Sequence, residues 1–405
     1  MEFAIWDLAF WELAVWLLAL AASSLLAVPT IVYAAECIFG SLPRSDAPRP
    51  AIPRAAVAVL VPAHDEEQGI AATLRNIAAQ LRDGDRLLVV ADNCSDRTAA
   101  VARAAGAEVV ERHDPSNRGK GYALDFGLAH LARDPRPVVV IIDADCRLLA
   151  GALDELSRTV TVTGRPAQSC YLMVAGSDRN GRFGVAQFAF LVKNLVRPRG
   201  LARIGLPCQM TGAGMALPWA AVGTVDLAHG HLVEDMKLGL DLAAAGYAPV
   251  FCEDAGVRSD FPESTTGAES QRRRWEHGHL AMLAASGRHL LDRRVLGNPN
   301  LLAMTLDVLV PPLTLLAACI AAVVVLGALV AALGFGLAPL AVSAASGVLL
   351  VLATAVAWAA HGRQALPARA ALKIPGYMLG KVGLYPRALA GKSEQEWVRT
   401  DRTRT

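Results

Sequence analysis

The sequence predicts an α/β domain on a mainly parallel sheet, with transmembrane α-helices at both ends of the chain. Of its 405 residues, 54% are hydrophobic and only 19% are charged. The apolar excess lies near the ends, in the uncharged stretches 13–35, 308–333 and 337–360. Between them, from 55 to about 260, strand-like and helix-like segments alternate. Such alternation is typical of a parallel sheet covered by helices.

Each uncharged stretch exceeds the roughly 20 residues that an α-helix needs to cross a bilayer. The first has no basic residue before it and is longer than the roughly 7–15 apolar residues of a signal peptide. We therefore expect a retained anchor there, rather than a signal peptide.

Basic residues flank these stretches on the sides that face the central domain and the C-terminal tail: Arg44, Arg49, Arg54, Arg293, Arg294, Arg363 and Arg369. Because basic flanks stay in the cytoplasm, we expect the N-terminus outside and the domain and tail inside. The expected segments are an anchor at 1–40, a linker at 41–54, the α/β domain at 55–270, an interfacial helix region with "QRRRW" at 271–300, two transmembrane helices at 301–361, and an interfacial helix with a basic tail at 362–405.

Four strands are predicted in the first part of the domain, at 55–64, 85–93, 107–113 and 136–145. Helices are predicted between them, at 67–81, 96–106 and 121–133, from apolar residues at helical spacing. Later in the chain we expect helices at 183–196, 233–246 and 269–283, a loop at 197–207, and strands at 208–217 and 248–257.

The seven cysteines are scattered and form no Cys-x-x-Cys pair, so neither a zinc site nor a disulfide framework is expected. The net charge of +2 gives no reason to expect a nucleic acid partner. The locally basic C-terminal tail instead suits an anionic membrane surface.

Two aspartates, Asp143 and Asp145, follow the most apolar strand in "VVVIIDADCRLL" (138–149). Side chains two apart on a strand share a face, with Cα atoms roughly 6–7 Å apart. Their charges repel unless a proton or a cation intervenes. A divalent cation prefers oxygen ligands and would also bind the oxygens of a nucleotide diphosphate. The alternative is a solvated pair at the end of a strand.

Other polar clusters also follow strands, where ligands bind in parallel sheets. Asp92 could accept hydrogen bonds there from a nucleoside, whereas Glu66 and Asp96 could instead be helix N-caps. Lys120, between Gly119 and Gly121 at a helix start, could bind an anion. Its alternative is a solvated lysine in a turn.

Glu234 and Asp235 begin a helix, where the helix dipole favours carboxylates, and Asp235 could serve as a general base. In "QRRRW", the three consecutive arginines could clamp a phosphate while Trp275 stacks on a sugar. The alternative is an interfacial basic helix with a tryptophan at headgroup depth, and both could hold for different residues.

Gly212 and Gly214 would allow a ligand to approach the backbone closely, or would form a packing bulge. His277 and His279 are expected to be structural.

Together and in this order, "VPAHDEE", "ADNCSD", "RGKG", "DAD", "VED" and "QRRRW" resemble the membrane-bound family 2 glycosyltransferases. The resemblance covers about 55–280 and is greatest to the branch with cellulose, chitin and hyaluronan synthases and bacterial exopolysaccharide transferases. It implies a GT-A nucleotide-binding fold, a UDP-sugar donor, inverting transfer and an Mg²⁺ or Mn²⁺ ion. It also implies a bacterial inner-membrane location, with the catalytic domain in the cytoplasm.

The resemblance assigns roles residue by residue. Asp92 would hold the uracil or ribose, Asp143 would face the nucleotide and the metal, and Asp145 would chiefly bind the metal. Asp235 would be the catalytic base. The remaining expected site residues are Glu234 beside the base, Glu66 and Lys120 beside the nucleotide sugar, and Gln271, Arg274, Trp275, Gly212 and Gly214 beside the diphosphate and acceptor.

The chain departs from the family pattern in its short membrane part, since large processive synthases use more helices to form a polymer channel. The acceptor could therefore be a growing glycan, with membrane partner subunits for export, or a lipid-linked molecule that receives a single sugar. Transfer to polyprenyl phosphate is the main alternative. A nucleotidyltransferase and a non-catalytic nucleotide sensor are the others.

Overall fold

The computed structural model of the chain describes residues 2–44, 52–174, 184–231, 233–261, 265–374 and 376. Half of the predicted linker, 45–51, and most of the predicted C-terminal segment, 377–405, lie outside the described residues.

Eight strands among the described residues form one sheet. Their bounds are β1 (Val57–Ala63), β2 (Arg86–Asp92), β3 (Glu108–Arg112), β4 (Val138–Ile141), β5 (Arg147–Leu148), β6 (Ala167–Val174), β7 (Met215–Pro218) and β8 (Val250–Asp260). Across the sheet their order is β3-β2-β1-β4-β7-β6-β8-β5.

The sheet is mixed. Strands β3, β2, β1 and β4 run parallel, with Val59 paired to Leu87 on one side and to Val140 on the other. Strand β7 is antiparallel to both β4 and β6, and β5 is antiparallel to β8, whereas β6 and β8 run parallel. The predicted α/β fold class is confirmed, and antiparallel β7 joins the two parallel parts of its sheet.

Fourteen α-helices are described. Their bounds are α1 (Glu2–Ser41), α2 (Ile70–Ala78), α3 (Thr98–Ala104), α4 (Lys120–Leu131), α5 (Ala152–Thr163), α6 (Gly184–Leu191), α7 (Arg197–Arg203), α8 (Trp219–Val222), α9 (Glu234–Ala244), α10 (Thr265–His289), α11 (Arg293–Leu296), α12 (Pro299–Val308), α13 (Leu313–Ala332) and α14 (Ala338–Ala357). π-helical turns follow α6 at Val192–Val196 and α14 at Trp358–Gly362, and a 3₁₀ helix spans Ala368–Lys373.

Both faces of the sheet are covered by helices. Ile70, Leu74 and Ile77 of α2 pack on one face, in a core that also includes α5. Leu124 of α4 and Leu238 of α9 pack on the other. Burial on both faces explains why the central strands are apolar without alternation.

The prediction of a loop at 197–207 is wrong for its first half, which is helix α7. This helix continues from α6 through the π-helical turn Val192–Val196. The "RPRG" stretch is held as a helix by packing against α1: a Cβ on Gly200 would lie 2.0 Å from the carbonyl oxygen of Glu36. Tertiary contact here outweighs the local signals of proline and glycine.

Within the part of the chain that the structure describes, three helical segments are long and apolar enough to cross a membrane: Phe10–Ser41, Leu313–Ala332 and Ala338–Gly362. Helix α12 precedes the second of these and packs against α9 instead. The apolar helices α1, α13 and α14 share a core with α6, the π-helical turn after it and the segment after Gly362.

A buried charge triad joins the first apolar helix to the α/β domain. Arg197 of α7 donates through Nε to Glu36 of α1 over 2.5 Å, and it also pairs with Asp307 of α12. Glu36 and Asp307 are only 1% and 7% exposed. Because an unpaired buried charge is costly, these three residues tie α1, α7 and α12 to one another.

Candidate active site

A pocket of about 750 Å³ opens at the carboxyl ends of β1, β2 and β4. Eleven of the residues that the sequence predicted for the site line it: Glu66, Asp92, Lys120, Asp143, Asp145, Gly212, Glu234, Asp235, Gln271, Arg274 and Trp275. The twelfth, Gly214, is not among the lining residues. A Cβ on it would lie 1.8 Å from the Ser169 hydroxyl oxygen, so close packing explains this glycine.

Lys120, the first residue of α4, lies at the centre of the pocket. Its Nζ is 2.5 Å from an Asp143 oxygen and 3.5 Å from a Glu234 oxygen, and it donates to the Gly212 carbonyl oxygen over 2.8 Å. Burial alone would lower the pKa of Lys120, but these carboxylates raise it above the usual lysine value. A lysine is thus the positive group beside the "DAD" aspartates.

The sequence interpretation placed Asp143 and Asp145 on the strand. The structure instead places both after its end. Strand β4 ends at Ile141, and Asp143 begins a turn in which its carbonyl oxygen accepts from the Cys146 amide over 3.0 Å. The turn brings one carboxylate oxygen of Asp143, one of Asp145 and the Cys146 sulfur within 4.8 Å of one another.

This donor set fits a divalent cation. Two carboxylates so close together suit a hard cation such as Mg²⁺ or Mn²⁺. Burial raises the pKa of the Cys146 thiol well above its usual value, and a soft sulfur is a poorer ligand for such cations than a carboxylate oxygen. Burial also raises the pKa of Asp143, against the opposing effect of Lys120.

One end of the pocket is formed where β1 and β2 end. Asp92 is 7% exposed and accepts from Arg112 over 2.7 Å. His64 lies beside it, and its Nδ1 donates to the Asp92 carbonyl oxygen over 2.6 Å. Sequence reasoning missed Arg112 because the partners are 20 positions apart on neighbouring strands.

The start of α9 presents two carboxylates to the pocket. Glu234 is 9% exposed, and burial raises its pKa to about 7 despite the attraction of Lys120. Asp235 accepts from the Met236 amide over 2.9 Å. Gly212 has φ +86°, and a Cβ on it would lie 3.4 Å from an Asp235 oxygen and 3.6 Å from Lys120 Nζ. A glycine here keeps the space beside both groups open.

Helix α10 carries the "QRRRW" residues to the far side of the pocket. Gln271 is 7% exposed, and Arg274 and Trp275 are half-buried. The ring centroid of Trp275 is 5.9 Å from that of Phe190, which is 5.5 Å from Tyr171. All three rings line the pocket. Tyr171 and Phe190 were not predicted, since aromatic residues in a strand and a helix normally indicate core.

The match to known proteins agrees with this geometry. Residues 53–278 match the model of the glycosyltransferase-like family 2. The chain belongs to this family.

Two curated relatives of this glycosyltransferase match over shorter segments. An uncharacterized glycosyltransferase of Mycobacterium tuberculosis is 40% identical over 101 residues, 25% of this chain and 42% of the relative. A dolichyl-phosphate hexose transferase of Haloferax volcanii is 38% identical over 89 residues, 22% of this chain and 36% of the relative. The chain therefore spans less than half the length of either relative.

A solved mannosyltransferase of Pyrobaculum calidifontis, in complex with GDP-Man and Mn²⁺, has the same overall fold. It is 18% identical, with a TM-score of 0.56, over 93% of this chain and 100% of its own. The glycosyltransferase described here accordingly has a GT-A fold, with apolar helices at the N-terminus and in the C-terminal region.

Proposed function

We propose that the chain is an inverting glycosyltransferase of the membrane-bound cellulose, chitin and hyaluronan synthase-like branch. It moves a sugar from a UDP-sugar to a saccharide or lipid-linked acceptor at the cytoplasmic face of the bacterial inner membrane. Its product would be an exopolysaccharide or a cell-envelope glycan. The observation that carries the proposal is the convergence of the "DAD", "VED" and "QRRRW" residues on one pocket beside three apolar helices.

The donor would lie along the ends of the strands. In this proposal Asp92 and Glu66 bind the nucleoside end, and Lys120 and Asp143 lie beside the diphosphate. Asp145 holds a Mg²⁺ or Mn²⁺ ion together with Asp143. Such an ion, when bound, stabilises negative charge on the departing diphosphate.

The acceptor would be activated by Asp235. Its carboxylate takes the proton of the acceptor hydroxyl, whose oxygen forms a bond to the anomeric carbon. The bond between that carbon and the UDP oxygen breaks, and the anomeric configuration inverts. Glu234, whose pKa is raised to about 7, lies next to Asp235 at the start of the same helix. Gln271, Arg274 and Trp275 close over the diphosphate and the acceptor.

Polyprenyl phosphate is the alternative acceptor, and the similarity to a dolichyl-phosphate hexose transferase favours it. A phosphate is already ionised and needs no base. Activity that survives Asp235→Asn would therefore support this reaction over transfer to a hydroxyl.

Membranes that contain the chain test the function directly. They are incubated with a panel of UDP-sugars and Mg²⁺ or Mn²⁺, with a GDP-sugar as the contrasting donor, and the products are analysed by mass. We expect one UDP-sugar to give a glycosylated product with release of UDP, and Asp145→Asn membranes to give none. The size of the product distinguishes single transfer from polymerisation with export partners.

Two results would contradict the proposal. Release of pyrophosphate instead of UDP would identify a nucleotidyltransferase. Failure of UDP-sugar with Mn²⁺ to raise the thermal stability of the protein would indicate that the pocket does not bind this donor.

A further inference from the structure

Lys193 lines the pocket, but the proposed reaction gives it no role. It is part of the π-helical turn Val192–Val196, and its side chain is exposed to the pocket. Single π-helical turns within helices often occur at functional sites.

The two lysines of the pocket differ in their charge partners. Lys120 is neutralised by Asp143 and Glu234, whereas Lys193 makes no hydrogen bond or ion pair with any described residue. Although Lys193 is open to the pocket, the protein around it removes part of its hydration and so lowers its pKa, with Asp235 and Asp307 opposing and Arg197 adding to the effect. A lysine without a close counter-ion in a protein-lined cavity favours an anionic ligand.

Unpartnered polar atoms surround the same place. The Thr211 hydroxyl and the Asn194 side-chain oxygen are buried without a hydrogen-bond partner, and Asn194 is 2% exposed. Lys193 and Thr211 both line the main pocket and a small inner cavity of about 20 Å³ behind it. Buried polar groups normally have partners, so these atoms indicate a ligand at this end of the pocket.

This end of the pocket borders the apolar helices. A Cβ on Gly40, near the end of α1, would lie 1.9 Å from the carbonyl oxygen of Val196. Arg197, one turn after Lys193, is paired with Glu36 of the same helix. A molecule that reaches the pocket from the membrane would therefore meet Lys193.

We propose that Lys193, together with the Thr211 hydroxyl, forms a second anion-binding point that takes a phosphoryl group of the acceptor. The inference rests on the proposed function, because that function places Lys120 beside the diphosphate of the donor. The Lys193 ammonium and the Thr211 hydroxyl donate to phosphoryl oxygens, and Asn194 binds a neighbouring polar group. The phosphoryl group belongs to a lipid or to a soluble phosphate.

The test measures ligand binding by the full-length chain in detergent. The probes are citronellyl phosphate, the neutral citronellol and inorganic phosphate, with UDP plus Mn²⁺ as the donor-side probe. We expect Lys193→Gln to weaken binding of citronellyl phosphate about tenfold or more, as for loss of a charge-assisted hydrogen bond. Binding of UDP plus Mn²⁺ should change less than about twofold.

Two variants serve as controls. Lys193→Arg keeps the charge and should retain most of the phosphate binding. Lys237→Gln removes a lysine that pairs with Asp241 outside the pocket lining, and it should bind every probe like the wild type. Unliganded melting temperatures show whether each variant is folded.

Binding of citronellyl phosphate alone would indicate a lipid phosphate, and equal binding of inorganic phosphate would indicate a soluble one. The inference is overturned if the wild type binds neither phosphate, if Lys193→Gln binds them normally, or if that variant loses UDP to the same extent. Failure of UDP plus Mn²⁺ to bind the wild type would instead contradict the proposed donor site, because the phosphate probes are measured without donor.

Discussion

Asp145 is the carboxylate on which the metal proposal depends most. Replacing it with asparagine removes a charged ligand while keeping the shape of the turn after β4. We expect Asp145→Asn to abolish nearly all transfer from UDP-sugar, and to weaken Mn²⁺ binding in a metal titration. Full, metal-dependent turnover by the variant would show that the ion is held elsewhere.

Replacing Asp235 distinguishes a role in the chemical step from a role in donor binding. As a general base it contributes roughly 10²–10⁴-fold to the rate, and in this proposal it contributes little to donor affinity. Asp235→Asn should therefore bind UDP-sugar like the wild type and lose transfer by that order. Calorimetric titration and initial rates on the same preparation test this. An equal loss of donor affinity would argue against a base.

Glu234 gives the protein a pH-dependent stability that can be measured without substrate. Its pKa is raised to about 7 in the folded protein, above an unfolded value of roughly 4.3. Between these values the unfolded chain binds fewer protons, so this residue makes stability fall as pH rises. Relative to wild type, Glu234→Gln should gain melting temperature from pH 5 to pH 8 in metal-free buffer. A constant difference between the two proteins would contradict the raised pKa.

Sequence reasoning located eleven of the lining residues. Most of these follow a strand or begin a helix, positions that meet at one edge of the sheet. Sequence reasoning could not show which residues form ion pairs with them. The Asp143–Lys120 and Asp92–Arg112 pairs join residues from different elements. Lys193 lies inside an apolar helical segment, where a lysine normally indicates a solvated face.

The start of helix α4 depends on a close contact that only glycine allows. A Cβ on Gly121 would lie 2.5 Å from the Leu227 carbonyl oxygen and 2.6 Å from that of His229. The segment around these carbonyls leads to Gly230 and His231, which line the pocket.

Gly121→Ala should therefore displace this segment and lower stability by about 1–3 kcal/mol, as for other overpacked sites, with reduced transfer. Gly69→Ala is the matched control, because nothing lies within 4 Å of its added Cβ. Melting temperatures of the two variants should differ clearly. Equal melting temperatures would mean that displacing the segment does not lower the stability of the protein.

Helix α5 and strand β6 were not predicted from the sequence, and there is a physical reason in each case. Helix α5 is rich in threonine and valine, which favour strands, yet it buries Leu153, Leu156 and Val160 at helical spacing. Strand β6 is buried on both faces and has no alternation to reveal it. The four parallel strands of the first half were found because turn residues and helices separate them.

At the scale of the whole molecule, the triad of Glu36, Arg197 and Asp307 joins the apolar helix α1 to α7 and α12. Removing the arginine leaves two buried carboxylates without a cation, which costs about 3–5 kcal/mol in comparable cases. Arg197→Met should lower the melting temperature of the detergent-solubilised protein accordingly. Arg103→Met, which breaks the exposed pair with Glu111, should cost only about 0–1 kcal/mol. A similar effect of both would show that the triad does not stabilise the assembly.

The triad also has a consequence for biosynthesis. Glu36 and Arg197 are 161 positions apart in the chain. At about 5–20 residues per second, Arg197 is made roughly 10–30 s after Glu36. During that interval the carboxyl group of Glu36 lacks the guanidinium that pairs with it in the folded chain. Strands β1 to β6 are all synthesised before Arg197. Of the three helices that the triad joins, α1 is thus made first, but its Glu36 can be paired only after most strands of the sheet have been synthesised.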